Sequence, residues 1–245
     1  IKSGGGSNNG AVFLHGLETA TLCNTTISGN VNIGGLTAQS YALAISDTLI
    51  QNNGGFGVYS NYSYQVEITN NLIQGNQGSG FYNYGGLDRL LVSNTSFLDN
   101  SGMGLYLDFS CAYAPEVKTT LRDVLIQNNS NGISTGSSSS SYADQMILDI
   151  DGLQVLDNTG GAATFDVYSY FGTAIQARIR NVLIAGNTIS KSSRPLKFGV
   201  WSYFYEDNPG LELDLQLDNI VVRDNQWSGT APNPMASGIG ISIKP

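Results

Sequence analysis

The word LIQNN stands at residues 49–53 and again at 125–129, with LIQGN between them at 72–76. The Asn that closes each word belongs to a longer series: Asn30, Asn53, Asn76, Asn100, Asn129, Asn158, Asn187 and Asn225. Its spacings are 23, 23, 24, 29, 29, 29 and 38 residues. Three residues before each Asn lies an apolar side chain: Ile27, Ile50, Ile73, Phe97, Ile126, Val155, Ile184 and Val222. Five residues earlier lies another: Leu22, Ile45, Ile68, Val92, Leu121, Ile150, Ile179 and Leu217. Two residues before that the column reads Ala20, Leu43, Val66, Leu90, Thr119, Leu148, Ala177 and Leu215.

Apolar positions two apart, with polar residues between them, mark strands with one buried face. Between the second and third columns come Asn24, Asp47, Asn70, Asn94, Asp123, Gly152, Asn181 and Asn219, residue types that favour turns. Each repeat therefore reads as strand, turn, short strand, Asn turn and a third strand such as GFGVYS at 55–60. One such unit cannot bury its apolar side alone. Stacking units at the strand spacing of about 4.8 Å buries a continuous column. The pattern predicts an all-β chain: a single parallel β-helix of about eight to nine coils, a rod on the order of 40 Å long. Almost no helix is expected, and the Asn residues should stack as an amide ladder. Residues 1–8 read as a linker or frayed end and residues 9–245 as the solenoid. The extra residues of the later repeats fall mainly between the third strand and the next first strand, so inserted loops grow toward the C-terminal half.

Composition narrows the function classes. Of 245 residues only 12% are charged, and the net charge is −8. That balance argues against a nucleic-acid partner, which needs a basic footprint. No apolar run approaches the 18 or so residues of a membrane span. The neutral surface, rich in Gly, Asn, Ser and Tyr, points to an extracellular or cell-surface protein. Opening on Ile1 without a Met reads as a processed chain or a segment of a longer one. The single histidine, His15, rules out a His-rich metal site, and no metal or cofactor is expected. Cys23 and Cys111 fall about four coils apart, roughly 19 Å at the strand spacing, so free thiols are expected.

The words TLCNTTISGN (21–30), VEITNNLIQGN (66–76), TLRDVLIQNN (120–129) and ARIRNVLIAGN (177–187) resemble right-handed parallel β-helix repeats of pectate-lyase-like and bacterial surface proteins. The resemblance spans roughly residues 9–243. It implies a right-handed coil. It leaves activity open, because such proteins include polysaccharide lyases, hydrolases, epimerases, phage tail spikes and non-catalytic adhesins.

Three outward constellations are candidates for function. The first is an aromatic column aligned as His15, Tyr59, Tyr82, Tyr106, Tyr168 and Trp201, with Tyr170 and Tyr203 as a second pair. Aromatic rings with polar handles suit amphipathic ligands, so Tyr59, Tyr82, Tyr106, Tyr168, Tyr170, Trp201 and Tyr203 are the candidate glycan-binding residues. The same stack would also serve as a purely structural ladder. The second is a charge ladder, Arg122, Asp151, Arg180 and Asp218, flanked by Glu67, Asp149 and Arg178. It reads as cross-strand ion pairs. The resemblance implies an alternative, because pectate-lyase-like enzymes place Asp and Arg on an exposed sheet for calcium binding and proton abstraction. The third is a set of acids assigned to the inserted loops: Asp108, Glu116, Asp144, Asp166, Glu206 and Asp207. Glycoside hydrolysis needs two carboxylates about one bond, and Asp144, Asp166, Asp108 and Glu116 are the candidates if the protein is an enzyme. Lys191, Arg194 and Lys197 are placed in the longest insertion.

The leading expectation is an extracellular structural or adhesive module that contacts a polysaccharide or cell-surface glycan without catalysis. The alternatives are a polysaccharide lyase or glycoside hydrolase, and a purely structural rod. Neither terminus shows an amphipathic capping helix, so end-to-end self-association or flanking domains are also expected.

Overall fold

A computed structural model of the chain describes residues 10–109, 114–135, 143–169, 174–189, 195–202, 212–228 and 239–244. No helix occurs among them, and every strand pairing is parallel. One coil shows the plan. Its first strand is Gln65–Thr69, its second Leu72–Gln74 and its third Phe81–Tyr84. The next coil repeats this as Arg89–Ser93, Ser96–Leu98 and Met103–Leu107, each strand hydrogen-bonded to its counterpart. The fold is a parallel β-helix.

The sequence columns are spatial columns. Leu22, Ile45, Ile68, Val92, Leu121, Ile150, Ile179 and Leu217 follow one another in register. So do Ile27, Ile50, Ile73, Phe97, Ile126, Val155, Ile184 and Val222. Interior members are buried, each stabilising by about 1.5–3 kcal/mol relative to exposure, whereas Leu217 is 36% exposed because nothing described stacks beyond it. Among the described residues the core is thus closed along its length and least covered at Leu217.

The spelling of LIQNN now has a physical reason. Its fourth residue turns the chain: Gly29, Asn52, Gly75, Asp99, Asn128, Asp157, Gly186 and Asp224 all have φ between 54° and 69°. Gly has no Cβ to clash there, and Asn and Asp offset part of the left-handed penalty by local hydrogen bonding. The earlier turn behaves alike, with φ of 46° to 77° at Asn24, Asp47, Asn70, Asn94, Asp123, Gly152, Asn181 and Asn219.

The fifth residue is the ladder. The Asn76 main-chain N–H and Nδ2 both donate to Asn100 Oδ1, at 3.1 and 3.0 Å. Its second Nδ2 proton goes to the Ile50 carbonyl one coil back, at 3.3 Å. The same set recurs from Asn53 to Asn187. These side chains are at most 1% exposed, so every polar atom needs a partner. Asn supplies one acceptor and two donors at this length. Asp would bury a charge with no protons to give.

Glycine fixes the start of the third strand. A Cβ on Gly57 would lie 2.6 Å from the Gly80 carbonyl oxygen and 3.0 Å from the Asn76 amide. Gly80 is confined in the same way by Gly104 and Asn100. The chain runs flush against the ladder there, and the third strand leaves with its outward residues set in rows.

Candidate functional site

The third strands carry the aromatic surface. In register, Thr37, Tyr59, Tyr82, Tyr106, Ser134, Thr164 and Lys197 form one outward row. Phe13, paired with Thr37, begins it. This corrects the alignment read from sequence. His15 pairs with Gln39 and stands one row over. Tyr168 and Trp201 do pair with each other, but they lie four residues past Thr164 and Lys197. The similar words FDVYS (165–169) and FGVWS (198–202) align with each other, but further along the third strand than the tyrosine row. Tyr170 and Tyr203 lie outside the described residues, as do Glu206, Asp207, Lys191, Arg194 and Cys111. Cys23 is an exposed free thiol.

Tyr82 and Tyr106 stack with ring centroids 4.5 Å apart and planes 17° from parallel, and Tyr59 stacks on Tyr82 at 5.8 Å. Phe56 packs on Tyr59 and Tyr82 at 5.4 and 5.1 Å. Both faces of Tyr82 are therefore taken by neighbours, and the row presents ring edges and hydroxyls outward. The Tyr106 and Tyr82 hydroxyls also interact by a side-chain hydrogen bond. Burial, then the neighbouring Tyr82 and Asp108, pushes the Tyr106 phenol up from 10.0 to about 12. Burial and then Asp108 also raise Tyr82, while burial and then Tyr82 raise Tyr59. All three phenols are held in the neutral form.

Beside this row, Tyr62 and Tyr84 meet edge to face at 5.8 Å and are 38% and 45% exposed. Phe56, Tyr59, Asn61, Tyr62, Tyr82 and Tyr84 line an open depression of about 540 Å³. Tyr62 also has unusual backbone geometry, with φ of 52°. Every other described non-glycine residue with positive φ is Asn or Asp. Asn61 pairs with Tyr84, so the next coil has Gly85 at the equivalent point, with φ of 67°. A bulky residue there costs about 1–2 kcal/mol. The chain holds an aromatic ring in the depression at a position where glycine would relieve the strain. The sequence places Tyr62 among the loop aromatics near the column but not among the candidate binding residues. Its signal was the column neighbour, Gly85, which only the register makes readable.

The first-strand face is different. Cys23, Ser46, Thr69, Ser93, Arg122, Asp151, Arg180 and Asp218 align as expected. Arg122 pairs with Asp149, and Arg180 reaches Asp151 at 3.2 Å and Asp149 at 3.9 Å. These are half-exposed ion pairs, and they occupy both acids with arginine. Glu67 departs from the expected pairing, because its row neighbours are Ala44 and Leu91.

The candidate acids do not share one site. Asp166 lies within the strand Ala163–Ser169, not in a loop, and its Oδ2 accepts from Lys197 Nζ at 2.7 Å. Lys197 is likewise in a strand, Leu196–Ser202. Glu116 opens the first strand Glu116–Gln127. Asp144 is exposed just before Gln145–Leu156, its N–H bonded to the Pro115 carbonyl at 3.0 Å. Asp144 thus precedes a first strand while Asp166 sits midway along a third. Asp108 is 3% exposed and lies by Tyr82 and Tyr106. Groups of three or more His, Cys, Asp or Glu able to hold a metal ion are absent among the described residues. No helix there is long and apolar enough to cross a membrane.

Residues 5–97 match the family model for the right-handed β-helix region. That match agrees, over the part of the chain it covers, with the parallel β-helix that the strand register shows. No curated protein and no solved structure matches it.

Proposed function

We propose that the protein is an extracellular or cell-surface module that binds a glycan on the aromatic third-strand face and does not cleave it. The observation that carries this reading is Tyr62. Left-handed strain on a bulky side chain points toward function, and this ring lines a depression whose walls are aromatic and amide. Hydroxyl edges from Tyr59 and Tyr82, the Asn61 amide, and the Tyr62 and Tyr84 rings match a polyhydroxylated ligand with apolar ring faces. Against cleavage, Asp166 is held by Lys197, and Asp149 and Asp151 by arginines.

Affinity electrophoresis through gels holding plant, algal and bacterial polysaccharides, with a reducing-end assay for products, tests this. Retardation on at least one intact polymer is expected. Tyr62→Gly is expected to raise the melting temperature while weakening retardation, by relieving about 1–2 kcal/mol of strain. Unretarded migration on every gel, or release of products, would overturn the reading.

A second reading, a rod that associates end to end, has one observation behind it. Among the described residues, the exposed large aliphatic side chains are Leu17, Val31, Leu217, Val221, Ile239 and Ile241. All lie at or beside the first and last rungs.

A further inference from the structure

We infer that the glycan lies along the solenoid axis as an extended linear chain, passing from the tyrosines to a second subsite at Ser134, Thr164 and Lys197; this rests on the glycan-binding reading and adds the form of the ligand and the rest of its site. Two hollows open on the third-strand face. The first is the aromatic depression. The second is a groove of about 420 Å³ whose lining includes Met103, Asn131, Ser134, Thr164 and Lys197. One row of paired strands runs through both. Tyr59 and Tyr82 line the first hollow, and Ser134, Thr164 and Lys197 line the second. Tyr106 joins them, pairing with Tyr82 on one side and Ser134 on the other. From Tyr59 to Lys197 is five register steps, or about 24 Å at the strand spacing.

The groove exists because the row shrinks. Past Tyr106 the same register position holds Ser134 and Thr164, so the stacked rings give way to a channel floored by short side chains. Its chemistry suits a polyol. The Asn131 amide and the Ser134 and Thr164 hydroxyls both donate and accept hydrogen bonds, as sugar hydroxyls do. Met103, beside Asn131 in register, adds apolar surface for the C–H face of a ring. Asp166, 8% exposed, bonds the Lys197 ammonium at 2.7 Å and fixes where that donor stands. A donor held in place beforehand loses less freedom when a ligand arrives. The row offers one contact per coil, about 4.8 Å apart, and an extended pyranose chain repeats at nearly the same interval. A chain lying along one coil would meet a single member of this row, whereas a chain crossing the coils meets each in turn.

The test is titration calorimetry of the whole chain with cello-, manno- and malto-oligosaccharides, each series running from the disaccharide to the octasaccharide. In at least one series the affinity is expected to rise by about tenfold or more between the disaccharide and the hexasaccharide, as the ligand becomes long enough to reach both hollows. The double variant Ser134→Val, Thr164→Val is expected to weaken the hexasaccharide by about tenfold and leave the disaccharide unchanged. Lys197→Gln is expected to weaken the same long ligands severalfold. Tyr62→Gly, in contrast, is expected to weaken every length. Should Lys197→Gln fold poorly, the double variant still decides the matter, because valine suits a strand position. Equal affinity at every length would overturn the inference while leaving the aromatic depression as a glycan site. Groove variants that weaken no ligand, or weaken all lengths alike, would overturn it in the same way. Binding of no member of any series would overturn the glycan reading and this inference with it.

Discussion

The two halves of the solenoid share a skeleton and differ in their outer surface. Up to about residue 109, successive ladder Asn residues are 23 or 24 apart, the first-strand column reads Ser46, Thr69 and Ser93, and the third-strand row reads Tyr59, Tyr82 and Tyr106. Beyond it the spacing rises to 29 and then 38, the first-strand face becomes Arg and Asp, and the third-strand row becomes Ser134, Thr164 and Lys197. Even the turn interior changes. Thr48, Asn71 and Thr95 bond coil to coil in the first half, where Val124, Leu153 and Val182 are buried in the second. The inner columns and the Asn ladder cross the boundary unchanged. Stacking therefore constrains the inside, and the outside is left free to carry separate properties on each half.

The largest expected effect tests the shared part. Asn76→Ala and Asn158→Ala each strand buried donors and acceptors in the coils above and below. Each should cost about 3 kcal/mol in denaturant unfolding. Clearly unequal losses would mean the ladder is not a common device of both halves.

Next comes a position where the halves part. Gly80→Ala forces a Cβ to within 2.8 Å of the Gly104 carbonyl oxygen and should cost about 1–3 kcal/mol. The later coil carries Ala162 one residue before Ala163, which pairs with Ile133 as Phe81 pairs with Leu105. Ala162→Gly should cost only about 0.5–1 kcal/mol. Similar losses at both sites would show that the two halves pack alike after all.

A smaller effect separates the first-strand faces. Asp149→Asn removes the partner of Arg122 and Arg180 and should cost about 1 kcal/mol at low salt, and less at high salt. Thr69→Val, in the Ser and Thr part of the same column, should stay within about 0.5 kcal/mol.

The last prediction concerns the tyrosine row. The Tyr106 phenol is raised in the folded state from 10.0 to about 12. An unfolded chain would ionise first. The associated stability is therefore fully present below pH 10 and is lost as pH rises toward 12. Melting temperature followed from pH 8 to 12 should fall more steeply for the unaltered protein than for Tyr106→Phe. Parallel profiles would contradict the neutral, stacked phenol.

The sequence made the shared skeleton legible because stacking writes each structural need once per coil. Ladder Asn residues, turn residues and core columns were all readable from spacing. The outer surface was less so. The likeness of FDVYS (165–169) to FGVWS (198–202) put Tyr168 and Trp201 in the tyrosine row, but these words pair with each other further along the third strand, and His15 stands two residues past Phe13, which begins the row. Only hydrogen-bonded register shows that the row ends in Ser134, Thr164 and Lys197. Asp166 and Lys197 read as loop residues because coils of 29 and 38 residues leave the third strand unanchored in sequence. The left-handed Tyr62 was hidden because its meaning lies in a neighbour one coil away.

The most direct test of the central claim is hydroxyl-radical footprinting of the protein with and without the polysaccharide that retards it most, read by mass spectrometry at each side chain. Protection is expected at Tyr62 and Tyr84, with no change at Leu17, Val31, Leu217 or Val221. Protection confined to those end residues, with Tyr62 and Tyr84 labelled as before, would contradict it and move the interaction to the ends of the solenoid.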